Sequence, residues 1–322
     1  MQQVTKFDIH TNLGLFPGSE SGGKDHVCTK EELAAHCSKY QLTHAMVLYP
    51  WNDYQILEDC QKLTNTKLYG IQCMFFNEKI EFGHQPELSE VEIHSDKPLW
   101  AGVKFHSHRG WYNIDGTIQN GIDYADTRMM SKVLKRLPDG AIVSTHLQGT
   151  ASPYNTSRAL SIGNLACKFP MLKFLINHAG DYGVTNAKPS YMKDYKTGVY
   201  TGYMDTLLSY CQSRAAFHAS VEFANHFHNV YLDASNFVKQ KGEILSGTKK
   251  WCIGTDIPFG NPSIYSFDNE YKKFASVMPE QQVIDAIHNT LDWFEKDVDV
   301  LLKEMAVEQN MKSQRLEDGS KI

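Results

Sequence analysis

Five side chains able to ligate a divalent metal or carry a proton stand where short apolar runs end. His10 falls in "FDIHTNLG", His106 ends "WAGVKFH", His146 ends "AIVSTH", His178 ends "LKFLINH" and Asp256 ends "KWCIGTD". Imidazole and carboxylate suit Zn, Mn or Fe, and three protein ligands plus water leave an open position for catalysis. Two positions after His10, where a second histidine would complete such a set, stands Asn12. Its amide oxygen is a neutral, weaker ligand for zinc than imidazole. In "GTDIPFG", small residues precede Asp256 and a Pro-containing turn follows it, and "NHAGDYG" places small residues after His178. Small residues let a ligand approach, and the turn directs the carboxylate inward. No Ser or Cys nucleophile elbow occurs in the chain.

Eight apolar runs can serve as the strands that present these groups: 4–10, 43–49, 67–76, 100–106, 141–146, 172–178, 229–235 and 250–256. Most are continuously apolar, as strands buried on both faces are. Helical patterns lie between them. "TKEELAAHCSKY" opens with Thr29 and places Glu32 three residues later, a capping box. "YADTRMMSKVLKRLPDG" stops at Pro-Asp-Gly. The alternation predicts one (β/α)8 TIM-type barrel over residues 1–308, with a polar tail over 309–322 and a long insertion after the sixth strand. A doubly wound open sheet is the alternative. Polar residues at the C-terminal ends of barrel strands converge on one cavity. The insertion, rich in Tyr, Gly and Lys, would lie over that mouth or form a plain surface segment.

Composition narrows the function. The 322 residues are 42% hydrophobic and carry a net charge of -5, with a pI near 6.3. Neither nucleic acid nor an anionic membrane is an expected partner. The seven cysteines are scattered, with no CxxC, so neither a disulfide framework nor a cysteine zinc site is expected. The first strand begins within a few residues of Met1, so no signal peptide is expected, and no apolar run has the length of a spanning helix. The expectation is a cytoplasmic protein.

From about residue 4 to 296 the chain resembles the amidohydrolase superfamily, in its amidohydrolase-related branch (amidohydrolase family 2). "FDIHTNLG" looks like the strand-one Asp-x-His-x-His motif, "AGVKFHSH" like the strand-four motif and "VSTHLQG" like the strand-five His-x-Gly. "FPMLKFLINHAGDYG", "NVYLDAS", "CIGTDIPFG" and "IHNTLDWF" resemble strands six to eight and the closing helix. The resemblance implies one divalent metal, Zn or Mn, held by His10, Asn12, His146 and Asp256, with Asn12 in place of the usual histidine. It leaves a metal-free site open. It places His178 beside the metal as a catalytic or polarising group.

Three functions follow as expectations. The first is hydrolysis of an amide, ester or lactone of a small organic acid, with Asp256 as general base and His178 stabilising the oxyanion. The second is non-oxidative decarboxylation of a small carboxylic acid. The third is a metal-free lactonase or a non-catalytic ligand-binding barrel, suggested by Asn12. Lys104, His106, Arg109 and Tyr182 are candidate substrate-binding residues for an anionic small molecule. His106 could equally be a hydrogen-bonded wall histidine, and Arg109 could pair with a surface acid. Asp8 is expected to face away from the mouth, and His84, His94, His226 and His228 to be surface or helix residues. A homodimer is possible.

Overall fold

The computed structural model describes residues 5–16, 26–74, 91–106, 111–112, 118–119, 127–146, 155–180, 217–235, 239–258, 266–297, 300 and 303. Strand β1 (Phe7–Asn12) is buried at every position. That is the environment its apolar run calls for when a parallel sheet is covered on both faces. Two small antiparallel strands, β2 (Gly14–Phe16) and β3 (His26–Cys28), pair with each other beside it. Then come α1 (Lys30–Tyr40), β4 (His44–Pro50), α2 (Tyr54–Lys62), β5 (Lys67–Cys73) and β6 (Trp100–His106). A second short pair, β7 (Trp111–Tyr112) and β8 (Ile118–Gln119), precedes α3 (Thr127–Leu134). The chain continues through β9 (Ile142–His146), α4 (Asn155–Lys168) and β10 (Lys173–Ile176). A helical stretch over residues 217–226 (α5) leads to β11 (Val230–Asp233), α6 (Lys239–Leu245) and β12 (Trp251–Cys252). Helices α7 (Phe267–Ala275) and α8 (Glu280–Glu295) end the described fold.

Eight strands form one sheet in the order β1-β4-β5-β6-β9-β10-β11-β12. Every pairing in it is parallel. The edges then meet. Ile9 N–H donates to Ile253 O at 3.0 Å, Asp256 N–H to His10 O at 2.7 Å and Asn12 N–H to Ile257 O at 2.9 Å. This is the (β/α)8 barrel that the alternation predicts, not an open sheet. Gly102 permits one close approach in it, because a Cβ there would lie 2.0 Å from Ile142 O on β9.

The strands are shorter than the apolar runs. The run 172–178 is strand only over Lys173–Ile176 and then turns through a 3-10 segment, Asn177–Gly180. The run 250–256 is strand only at Trp251–Cys252. In both cases the chain leaves the ladder before a candidate site residue, His178 or Asp256. The predicted capping box holds: Thr29 Oγ1 accepts from Glu32 N–H, and Glu32 accepts from Thr29 N–H. At the N-terminal end of the strands, Phe7 packs edge-on to Tyr69 and Phe294, and Trp293 stacks on Tyr231 with ring centres 4.2 Å apart. The polar tail 309–322 lies outside the described residues, as does the part 181–216 of the long connection expected over 179–228.

Candidate functional site

The mouth is built from strand ends, and its first component is a bulge. In an unbroken strand Asp8 and His10 would share a face. Pairing with β4 slips by one residue between Asp8 and Thr11, and a bulge of this kind re-aims side chains. Asp8 accepts from Thr255 N–H at 3.0 Å, from Thr255 Oγ1–H at 2.7 Å and from His10 N–H at 3.2 Å, and His36 Nε2 on α1 lies 3.3 Å from it. It therefore serves structure, as expected. His10 points instead across the barrel.

Asp233, at the end of β11, organises His10 and His178. Its Oδ2 lies 2.6 Å from His10 Nδ1. The same oxygen accepts from Asn177 Nδ2 at 3.2 Å, from His178 N–H at 3.2 Å and from Ser235 Oγ at 3.0 Å. Its Oδ1 accepts from Ser235 N–H at 2.8 Å. Ser235 Oγ in turn lies 2.6 Å from His178 Nδ1. A hydroxyl has one proton, and the carboxylate takes it, so the imidazole donates to Ser235. Asp233 thus fixes the Nδ1 side of His10 directly and that of His178 through Ser235. Burial raises the Asp233 carboxyl, but the charge and hydrogen bond of His10, with His178 and Ser235 N–H, hold it well below the usual carboxylate range. Gly254 makes room for the pair: a Cβ there would lie 2.6 Å from Asp233 Oδ1 and 2.7 Å from His10 Cβ. The small residue before Asp256 serves this internal pair.

The Nε2 atoms look the other way. His10 Nε2 lies 3.3 Å from Asp256 Oδ1 and 3.2 Å from Lys104 Nζ. His178 Nε2 lies 3.9 Å from Asp256 Oδ2. The rings of His10 and His178 stack with centres 5.0 Å apart, and His146 meets His178 edge-on at 4.8 Å. Asn12 turns its amide nitrogen to Asp256 Oδ1 at 3.2 Å and Ile257 O at 2.8 Å. Both partners are acceptors, which fixes the amide's orientation. Burial raises the Asp256 pKa; His10, Lys104 and the Asn12 hydrogen bond offset this in part, and Asp233 adds to it. Asp256 and His178 both hold the left-handed region, at φ 56° and φ 52°. Such strain in non-glycine residues persists where surrounding contacts over-determine it, and it clusters at functional sites.

Of the residues expected at the site, the structure brings together His10, Asn12, Lys104, His146, His178 and Asp256. All six are buried. His106 pairs with His146 by strand register; Arg109 and Tyr182 lie outside the described residues. Sequence reasoning missed Asp233, Ser235 and Asn177. The signal was present: Asp233 ends "VYLD" as Asp256 ends its own run. His94, expected on the surface or a helix, is buried and hydrogen-bonded to Tyr49 Oη at 3.0 Å.

Among the described residues, His10, His178 and Asp233 form a buried group whose ligand atoms lie within 4.8 Å of one another, and it could hold a metal ion. The hydrogen bonds divide the roles. Asp233 is fully engaged on the Nδ1 side, whereas the Nε2 atoms and Asp256 face one another. An imidazole backed by a carboxylate at Nδ1 is the arrangement that orients a metal-ligating histidine. The donor chemistry therefore fits a divalent transition metal on the Nε2 side.

No protein-family model matches the chain, and no curated relative is found by sequence. Solved structures do match. An amidohydrolase from Burkholderia multivorans with bound zinc superposes with a TM-score of 0.52 at 10% identity, over 89% of this chain and 98% of that one. A candidate 2-pyrone-4,6-dicarboxylic acid hydrolase from Pseudomonas putida gives 0.49 at 13% identity, over 91% and 99%. The chain shares the (β/α)8 barrel fold of the zinc-bound structure.

Proposed function

We propose that the chain is a hydrolase of a small organic acid amide, ester or lactone, with its reaction centre at the His10–His178–Asp256 cluster. The observation that carries this reading is the placement of Asp256. Its two oxygens face the Nε2 atoms of two histidines whose Nδ1 sides are already held. A carboxyl raised by burial is a stronger base than a solvated one and matches proton abstraction from water better. Asp256 takes that proton and returns it to the leaving group. His178, beside Asp256, stabilises the oxyanion. Lys104 supplies positive charge that favours an anionic substrate. Asn12 holds Asp256 through its amide hydrogen bond.

His10 and Asp256, with His146 beside them, are the residues that would hold zinc or manganese. Such an ion would polarise the carbonyl and acidify a bound water. The solved barrel with bound zinc is consistent with this assignment.

The test is a panel of lactones, esters and amides of small mono- and dicarboxylic acids, assayed by pH-stat with the metal-free and the zinc- or manganese-loaded protein. Release of one new carboxylate per turnover, lost in Asp256→Asn, is the expected result. Carbon dioxide without a new carboxylate would replace hydrolysis by decarboxylation. No turnover in either state would remove the proposal.

A further inference from the structure

Lys104 is a lysine on β6 that the barrel buries at 3% exposure. Its Nζ lies 3.2 Å from His10 Nε2. The same nitrogen lies 3.3 Å from Asp256 Oδ1, so the lysine and the carboxylate meet at it. A zinc ion bound to imidazole sits about 2.1 Å from nitrogen along the lone pair. An ammonium within hydrogen-bond distance of the same nitrogen sets a like charge a few ångströms from such an ion.

We propose that Lys104 is the resident cation of this site: its ammonium takes the position at His10 Nε2 that a divalent metal would take, and the two exclude each other. The proposal deepens the functional reading above and rests on the same cluster. Three features support it. The cluster contains two buried carboxylates, Asp233 and Asp256, which call for positive charge nearby. Asp256 feels the Lys104 charge directly. Asn12, at the place where a second imidazole would strengthen metal binding, offers an N–H to Asp256 instead. Each feature favours a built-in ammonium as the competitor of a metal at a site whose donors fit either cation.

The experiment is calorimetric titration of the full chain, stripped of metal with a chelator, with zinc chloride. Wild type, Lys104→Met and Lys104→Gln are compared. Removing a like charge from within a few ångströms of a buried ion changes affinity by more than an order of magnitude. Both variants are expected to bind one zinc per chain at least tenfold more tightly than wild type. The glutamine variant keeps a polar group in place, which preserves the test if the methionine variant does not fold. Equal or weaker zinc binding in the folded variants, including no binding by any of the proteins, would overturn the proposal. Hydrolysis in the panel above with unchanged zinc affinity would refute only the role of Lys104. Stronger zinc binding without turnover would refute only the hydrolase.

Discussion

The barrel buries a lysine at each end, and the two are surrounded differently. Lys173 begins β10 at the N-terminal end of the strands. Its Nζ donates to Phe294 O at 3.0 Å and Lys296 O at 2.7 Å, at the end of α8, and lies 5.8 Å from the Trp293 ring centre. These partners are fixed dipoles that complement a cation at a helix C-terminus. Burial lowers the Lys173 pKa to about 8, against a small opposing effect of Asp297. Lys104, at the other end, meets His10 and lies near Asp256, groups that can gain or lose protons. At the foot, burial of a charge holds a helix in place. At the mouth it sets the charge among other titratable groups. Burial alone does not separate the two roles; the identity of the partners does.

The comparison can be broken from the largest effect downward. Asp233→Ala removes the carboxylate that holds both histidines and leaves buried donors unmatched. It is expected to lower stability by roughly 3–5 kcal/mol, read as the urea midpoint, and to abolish turnover. A loss below about 1 kcal/mol would mean that Asp233 is not the organising group. Asp256→Asn is expected to lower kcat about a thousandfold with the far-ultraviolet dichroism unchanged. In wild type, the acid limb of kcat/KM should lie above the ordinary carboxylate value of 3.8, because burial raises Asp256.

The foot gives a pH signature. Lys173 is lowered from 10.5 to about 8. Between those values the unfolded chain binds more protons than the folded one, so this group's contribution to stability rises with pH. Its burial cost is fully present below pH 8 and gone above 10.5, a span of roughly 3 kcal/mol. The thiols of Cys28, Cys37 and Cys60, pushed by burial from 9.0 to about 12, act in the opposite direction at high pH. The reading is therefore the difference between wild type and Lys173→Met, by urea unfolding at pH 7.5 and 10. That difference should shift toward wild type at the higher pH; an equal gap at both would contradict the assignment. The smallest effect is a control remote from both lysines. Thr29→Ala removes the α1 cap and should cost about 1 kcal/mol while kcat stays unchanged.

The barrel was legible in the sequence because parallel strands covered on both faces read as unbroken apolar runs, as in "THAMVLY" and "AIVSTH". Their ends were less so. Residues 177–178 and 253–256 look like strand by hydropathy, but the backbone bends there to aim His178 and Asp256, and composition does not encode a positive φ. His10, His146, His178 and Asp256 stood out because a His or Asp after an apolar run is chemically conspicuous. Asp233 had the same signature but no assigned task, since its work lies in partners distant in sequence: His10, Asn177 and Ser235. His94 was misjudged for the same reason. Its partner, Tyr49, lies on β4, and no local pattern links them.

The seam between β1 and β12 has a consequence for how the protein matures. Asp256 N–H meets His10 O, Asn12 N–H meets Ile257 O, and Asp8 receives Thr255. The first strand therefore waits for residues nearly 250 positions later before the cluster exists. Contacts of such sequence separation form late, after the loop-closure cost has been met. A nascent or truncated chain holds His10 but not its carboxylate neighbours. The proposed reaction centre is thus complete only once the ring has closed, and the cluster serves as the molecule's own marker of that closure.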